Sequence, residues 1–227
     1  MPACEIRQTE KYMLLTFHQT MQALSSCVLN GGLQQVRHVL NLRVIDDDTV
    51  VEDPAVTLLN RCAELGLTEK CLGMMTAAPM DTFRHHTCWF GELYFSAFVT
   101  TGLANARRAG DLADVDVMDS GCALPAGTIN LVVSTNASLA QSAMVEALMV
   151  ATEAKAAVLQ ALHVKSAKSG AIATGTGTDA MAVVSDPQGV PLRYVGKHVV
   201  AGEMLARAVI GALTKSLESS DAANTKV

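Results

Sequence analysis

The chain has 227 residues, of which half are apolar and 17% are charged, a composition that suits one domain of generous size and excludes disorder for most of its length. Net charge is −5, and Arg107-Arg108 is the one close basic pair in the stretches read for chemistry, so nucleic acid is a poor partner. Mean hydropathy is +0.28, yet no uninterrupted apolar run is long enough to span a bilayer, so no membrane role is expected.

The N-terminal segment carries Glu5, Arg7, Glu10 and Lys11 without an apolar stretch. That is unlike a signal peptide, and a cytoplasmic, reducing compartment is expected. Short strands are predicted over 12–17, 25–29 and 36–45, with Asn30-Gly31-Gly32 as the turn between the last two. The acidic run Asp46-Asp47-Asp48 reads as a solvated loop. Asp53 as N-cap, Pro54 at the first helical position and Gly66 as the stop predict a helix to about Leu65. Strands over 72–77 and 94–101 flank a predicted loop over 79–91, and 102–127 reads as irregular.

The second half is patterned more clearly. Residues 128–135 form a near-continuous apolar run with β-branched members, which fits a buried strand. Ser138, with Gln141 three residues on, predicts a capping box for a helix to about Leu162. Strands over 170–174 and 180–185 enclose the turn 175–179, and a short strand at 193–195 leads to a last helix over 199–217. Residues 219–227 read as a polar, frayed tail. The expected fold is α/β (α+β-like): one layered domain over 1–218, with a mixed sheet packed by two or three main helices. Cysteines at 4, 27, 62, 71, 88 and 122 form no C-x-x-C and read as free thiols.

Several positions stand out chemically. Ala173-Thr174-Gly175-Thr176-Gly177-Thr178-Asp179-Ala180 fits G-x-G-x-x-A after a strand. A dinucleotide loop needs a helix next, however, and Met181-Ala-Val-Val-Ser185 reads as a strand. What remains is a turn with backbone N–H groups, hydroxyls and a carboxylate, able to hold an oxyanion or position a water with Asp179 as base, or an ordinary hairpin turn. On the long helix, Met144, Leu148, Ala151, Val158 and Leu162 form an apolar stripe with Lys155 in its middle. That lysine either pairs with a carboxylate such as Asp179, binds substrate, or snorkels to solvent. On the last helix Glu203 projects near the Val199 face, with His198 just before it. They form an acid–base pair or metal ligands, or Glu203 only favours the helix dipole. Asn105-Ala-Arg107-Arg108-Ala-Gly110-Asp111 is a polar loop after an apolar strand, where binding residues often sit. His85-His86 with Cys88 matches no standard zinc spacing, and no G-x-S-x-G elbow is present.

Several segments together resemble the adenosylcobinamide amidohydrolase family. They are Val99-Thr-Thr-Gly-Leu-Ala-Asn-Ala-Arg-Arg-Ala-Gly-Asp111, Gly127-Thr-Ile-Asn130, Ala151-Thr-Glu-Ala-Lys-Ala-Ala157, the Ala173–Asp179 turn, and Tyr194-Val-Gly-Lys-His198 followed by Gly202-Glu203. The resemblance covers most of 95–210 and is weaker over the first 95 residues. It implies hydrolysis of the amide joining aminopropanol to the corrin ring of adenosylcobinamide, giving adenosylcobyric acid for cobalamin salvage. The corrinoid is then the small-molecule substrate, with no certain cofactor, metal dependence open and a homo-oligomer possible.

Amide hydrolysis needs an activated nucleophile, oxyanion stabilisation and a proton for the leaving amine. Asp179 or Glu203 suits the base, Lys155 or His198 the acid or electrostatic partner, and the 174–178 turn the oxyanion holder. Thr174 or Thr176 is the alternative nucleophile. Asn105, Arg107, Thr128, Asn130, Gly175, Gly177 and Thr178 are the expected substrate contacts. The competing readings are a non-catalytic corrinoid- or nucleotide-binding protein and a structural, oligomer-forming one.

Overall fold

Three stretches of the computed structural model, residues 4–44, 53–114 and 127–224, are described. The Asp46–Asp48 run, Cys122 and the centre of the 102–127 segment lie outside them. In chain order the strands are β1 (Glu5–Gln8), β2 (Tyr12–Ser25), β3 (Gly32–Arg43), β4 (Cys71–Thr76), β5 (Arg84–Phe90), β6 (Leu93–Thr101), β7 (Ala106–Arg107), β8 (Ile129–Leu139), β9 (Gly175–Thr176) and β10 (Ala180–Leu192). The helices are α1 (Pro54–Glu64), α2 (Gln141–Ala161) and α3 (Val200–Asn224). Eight strands form one mixed sheet in the order β4-β3-β2-β10-β8-β6-β5, with β1 also paired to β2. β10 runs parallel to β8, and β3 parallel to β4. β7 and β9 make a separate two-stranded ribbon.

Strand alternation dictates the layering. On β6, β8 and β10, Phe95, Ala97, Val99, Ile129, Leu131, Val133, Met181 and Val183 pack with α2 and α3. Their neighbours Phe98, Val132, Ala182 and Val184 turn the other way, into a second core with Met13, Leu15 and Phe17 of β2, Val39 of β3 and Leu72 and Met74 of β4. Tyr12, Leu14, Leu40 and Leu42, from the remaining face of β2 and β3, pack with Leu58 and Cys62 of α1. The sheet therefore folds over on itself, and the fold is α/β with helices on both outer faces. Alanines 143, 147, 151, 154, 201, 208 and 212 are all buried where the helices meet this core, which lets the elements approach closely. Among the described residues, no helix is long and apolar enough to cross a membrane.

The α1 signals act as expected. The Asp53 side chain accepts from the Ala55 N–H at 2.8 Å, and the helix stops at Glu64 before Gly66 at φ 70°. Elsewhere the structure differs from the sequence expectation. The strand expected at 12–17 continues to Ser25 as one long β2, whose register shifts between Thr16 and Met21; the polar His18-Gln19-Thr20 stretch at that shift hid its continuity, and the strand expected over 25–29 is reduced beyond Ser25 to an isolated Leu29–Gly73 bridge. The loop expected over 79–91 is a single 3-10 turn, Met80–Thr82, followed by edge strand β5. Ser138 does not cap α2. It stays in the ladder opposite Pro191, and Ala140 is the N-cap with no side-chain hydrogen bond. The strand expected over 170–174 is reduced to an isolated Lys165–Ile172 bridge, residues 193–195 form no strand, and α3 continues to Asn224. The five described cysteines are free thiols.

Leu131, 1% exposed on the face of β8 beneath the helices, tests this layering. Leu131→Ala should lower stability by about 2–5 kcal/mol through the cavity it leaves, read from the midpoint of urea denaturation.

Candidate active site

The Gly/Thr turn is one edge of the small ribbon. Ala106 pairs with Thr176 and Arg107 with Gly175, and the Thr174 N–H donates to the Arg107 carbonyl at 2.8 Å. The chain then runs straight into β10. No helix follows to receive a pyrophosphate, as the sequence reading required. Two distant segments, 105–111 and 173–179, are thus joined by backbone pairing.

Lys155 lies on the buried face of α2 and is 6% exposed. It does not snorkel: its ammonium is ion-paired with Asp179, whose side chain is 12% exposed. Asp179 also accepts from the Ile129 N–H at 3.0 Å, the Thr176 N–H at 3.1 Å and the Thr176 hydroxyl at 2.5 Å. These four donors fill the four acceptor positions of a carboxylate. The cluster ties α2, the start of β8 and the turn together. Thr178 completes the seam, its hydroxyl donating to the Gly127 carbonyl at 2.9 Å while its own carbonyl accepts from the Thr128 hydroxyl at 2.7 Å.

Gly175 is required by proximity. A Cβ there would lie 2.4 Å from Asp179 Oδ2 and 2.7 Å from Lys155 Nζ, closer than any side chain tolerates. One on Gly177 would meet only Asn105 Nδ2, at 3.5 Å, and Arg107 Cγ, at 4.0 Å. Asn105 is 4% exposed, and Arg107 is ion-paired with Asp114. Lys155, Asp179, Thr176, Gly175, Gly177, Asn105, Arg107, Thr128 and Thr178 therefore come together.

The remaining nominated residues stand apart from this group. Thr174 accepts from the Ala109 N–H at 2.9 Å and, with Arg108, Ala156, Gln160, Ile172 and Ala173, lines a pocket of about 270 Å³ that Thr176 and Asp179 do not border. Asn130 lies in the seam between the sheet halves, donating to Asn41 Oδ1 at 2.7 Å and the Met75 carbonyl at 2.8 Å. His198 is exposed and folds against Gly196. Glu203 is also exposed and pairs with Arg207 at 3.2 Å. Neither has a hydrogen bond or ion pair to the Lys155–Asp179 cluster among the described residues. The apolar face through Val199, Ala206, Ile210, Leu213 and Leu217 puts Glu203 beside Val199; Leu213 and Leu217 are buried, but Glu203 is not. Ala201, Met204, Leu205, Ala208, Val209 and Ala212 form the buried face, while Ile210 is 40% exposed.

His85 and His86 do not converge either. His85 stacks on Phe98, centroids 6.0 Å apart, whereas His86 packs on Gly211 of α3, as successive strand residues must. Among the described residues, no group of three or more His, Cys, Asp or Glu could hold a metal ion.

Residues outside the nominated set also shape the site. Asp111 accepts from the Ser166 hydroxyl at 2.5 Å and from the Arg108 N–H at 2.8 Å. Hydrogen bonds from Ser166, then Ser169 and the Arg108 backbone, hold its carboxyl down at about 2. Asp114 bridges Arg107 and Lys168. Asp111 closes one of the resembling segments, but no sequence spacing links it to Ser166.

The sequence model of the adenosylcobinamide amidohydrolase family matches residues 2–225. A protein of that name from Halobacterium salinarum is 34% identical over 86% of this chain and 80% of its own. Its namesake from Methanosarcina mazei is 27% identical over 84% and 87%. An uncharacterized protein of Methanocaldococcus jannaschii is 31% identical over 93% of this chain and 87% of its own. Among solved structures, a Burkholderia sp. beta-aminopeptidase aligns with a TM-score of 0.46 and 11% identity over 95% of this chain and 82% of that one.

Two predictions follow from the charges. Lys155→Met strands the buried Asp179 carboxylate, and urea denaturation should show a loss of about 3–5 kcal/mol; an unchanged midpoint would contradict the pairing. The depressed Asp111 carboxyl stabilises the fold above its ordinary 3.8, and that contribution disappears as pH falls through about 2. Over that window the thermal midpoint of the wild type should fall more steeply than that of Asp111→Asn.

Proposed function

The chain belongs to the adenosylcobinamide amidohydrolase family, and we propose that it cleaves the amide between aminopropanol and the corrin ring of adenosylcobinamide, with the Thr176 hydroxyl as nucleophile. The observation carrying this mechanism is the 2.5 Å hydrogen bond from Thr176 Oγ1 to Asp179 Oδ1, within a carboxylate held by Lys155. Four donors already engage this carboxylate, and one of them is the Thr176 hydroxyl. The hydroxyl already seated on it is the group it can deprotonate.

Thr176 Oγ attacks the amide carbonyl carbon as its proton passes to Asp179 Oδ1, giving a tetrahedral oxyanion. Collapse breaks the C–N bond. Asp179 returns the proton to the departing nitrogen, aminopropanol leaves as the amine, and the acyl group stays on Thr176 as an ester. Water then attacks the ester carbonyl and gives a proton to Asp179, which restores the Thr176 hydroxyl as adenosylcobyric acid departs. Lys155 holds the Asp179 carboxyl in place through both halves. The product is a carboxylic acid suited to re-entering cobalamin synthesis.

Purified protein incubated with adenosylcobinamide should release aminopropanol and adenosylcobyric acid; binding without product would favour the non-catalytic alternative. Thr176→Val should lower kcat by about 10³-fold or more, while Thr176→Ser keeps measurable turnover. Mass spectrometry of acid-quenched reactions should find the acyl group on the Thr176 peptide. Full activity in Thr176→Val would overturn the mechanism.

A further inference from the structure

Three N–H groups of the turn that carries Thr176 are already engaged. Its Thr174 N–H is bound to the Arg107 carbonyl, its Thr176 N–H to Asp179, and its Thr178 N–H approaches Thr176 Oγ1 at 3.5 Å. An oxyanion needs fixed donors, and a side-chain amide beside the turn can supply one.

Gly175 lies on β9 and Gly177 opens the turn that follows it, on either side of Thr176. The Lys155–Asp179 pair borders the first of these positions, and Asn105 Nδ2 borders the second at 3.5 Å. Ala106 and Thr176 are the last pair of the ribbon, and Asn105 and Gly177 are the residues immediately beyond it on the two chains. The two glycines leave a bare strip of backbone, with the nucleophile's carboxylate beside Gly175 and an amide donor beside Gly177.

Asn105 is otherwise hard to explain. It is 4% exposed, its Oδ1 is buried with no hydrogen-bond partner, and among the described residues its Nδ2 has no acceptor. Buried polar groups are ordinarily paired, and leaving one unpaired costs stability. Gly127 packs flat against this amide, where a Cβ would come within 2.6 Å of Oδ1, so the side chain is fixed by shape rather than by hydrogen bonds.

We infer that the Asn105 side-chain amide is the catalytic oxyanion donor, with Nδ2 hydrogen-bonded to the carbonyl oxygen of the scissile amide across the Gly175–Gly177 strip. This rests on the amide-hydrolase reading above. As Thr176 Oγ bonds to the carbonyl carbon, the C=O electron pair moves onto the oxygen facing Nδ2. Collapse returns that pair to the carbonyl, so Asn105 gives and receives no proton.

The test measures kcat and KM for adenosylcobinamide beside the thermal midpoint of each variant. Asn105→Ala and Asn105→Asp should lower kcat by about 10²–10³-fold and leave KM within a few-fold, because the donor acts on charge that develops only in the transition state. Gly177→Ala should also lower kcat without lowering the thermal midpoint, since its methyl fills the strip at an ordinary contact distance. Asn105→Ala with wild-type kcat overturns the assignment. If neither Asn105 variant folds, Gly177→Ala decides, and wild-type kcat there overturns it. A wild type that yields no product removes the amide-hydrolase reading and the Asn105 role with it, whereas an active wild type beside unaffected variants removes the Asn105 role alone.

Discussion

The buried ion pair between Lys155 and Asp179 is the constraint around which the site is built. An ammonium on the core face of a helix is tolerable only if an opposite charge meets it and the remaining polar atoms are satisfied. Asp179 meets it from a turn 24 residues further on, and the Ile129 and Thr176 N–H groups satisfy the carboxylate. The pair therefore fixes α2 against the start of β8 and against the ribbon at once. It also dictates the residue at 175, since only a glycine leaves room for both charged groups. Replacing both partners by apolar groups would satisfy packing, so packing alone does not explain why the charges are there.

Lys155 was legible because its neighbours were not charged. On a helix whose buried face carries Met144, Ala147, Ala151, Val158 and Leu159, one lysine at the same helical angle stands out, and a carboxylate partner is the natural expectation. The same reasoning misplaced Glu203, for an identifiable reason. The face through Val199, Ala206, Ile210, Leu213 and Leu217 leaves out Ala201, Ala208 and Ala212, through which the helix packs as much as through its leucines. In a chain this rich in alanine, side-chain size is a poor guide to which face is buried. Close approach of backbones decides it.

Tertiary pairing overrode local signals in the other departures. Ser138 and Gln141 have the spacing of a capping box, but the parallel ladder between β8 and β10 continues through Ser138 opposite Pro191, so the helix starts only at Gln141, after Ala140. Edge strand β5 was invisible because Arg84–Phe90 is half-exposed and lacks a clean alternation; its partner β6 defines it. The Asp111–Ser166 contact joins residues 55 apart, a relation that no local pattern encodes. Two of the resembling segments, 105–111 and 173–179, are the two sides of one ribbon. Contacts across that ribbon belong to the register, which a single sequence does not contain.

The burial of Asp179 bears directly on which chemistry the site can perform. A general base that activates a free water needs an open acceptor position directed at solvent, and Asp179 has none among its four donors. The hydroxyl of Thr176 is both one of those donors and a half-buried group at the edge of the turn. If the carboxylate takes part, the nucleophile is therefore supplied by the protein, and water enters only after the amine has left. The same saturation explains why the turn spends its own amides on structure. The Thr176 N–H that organises the carboxylate is engaged there. In the proposed mechanism the tasks are therefore divided: β9 carries the hydroxyl, the turn after it the carboxylate, and the segment entering β7 the amide of Asn105.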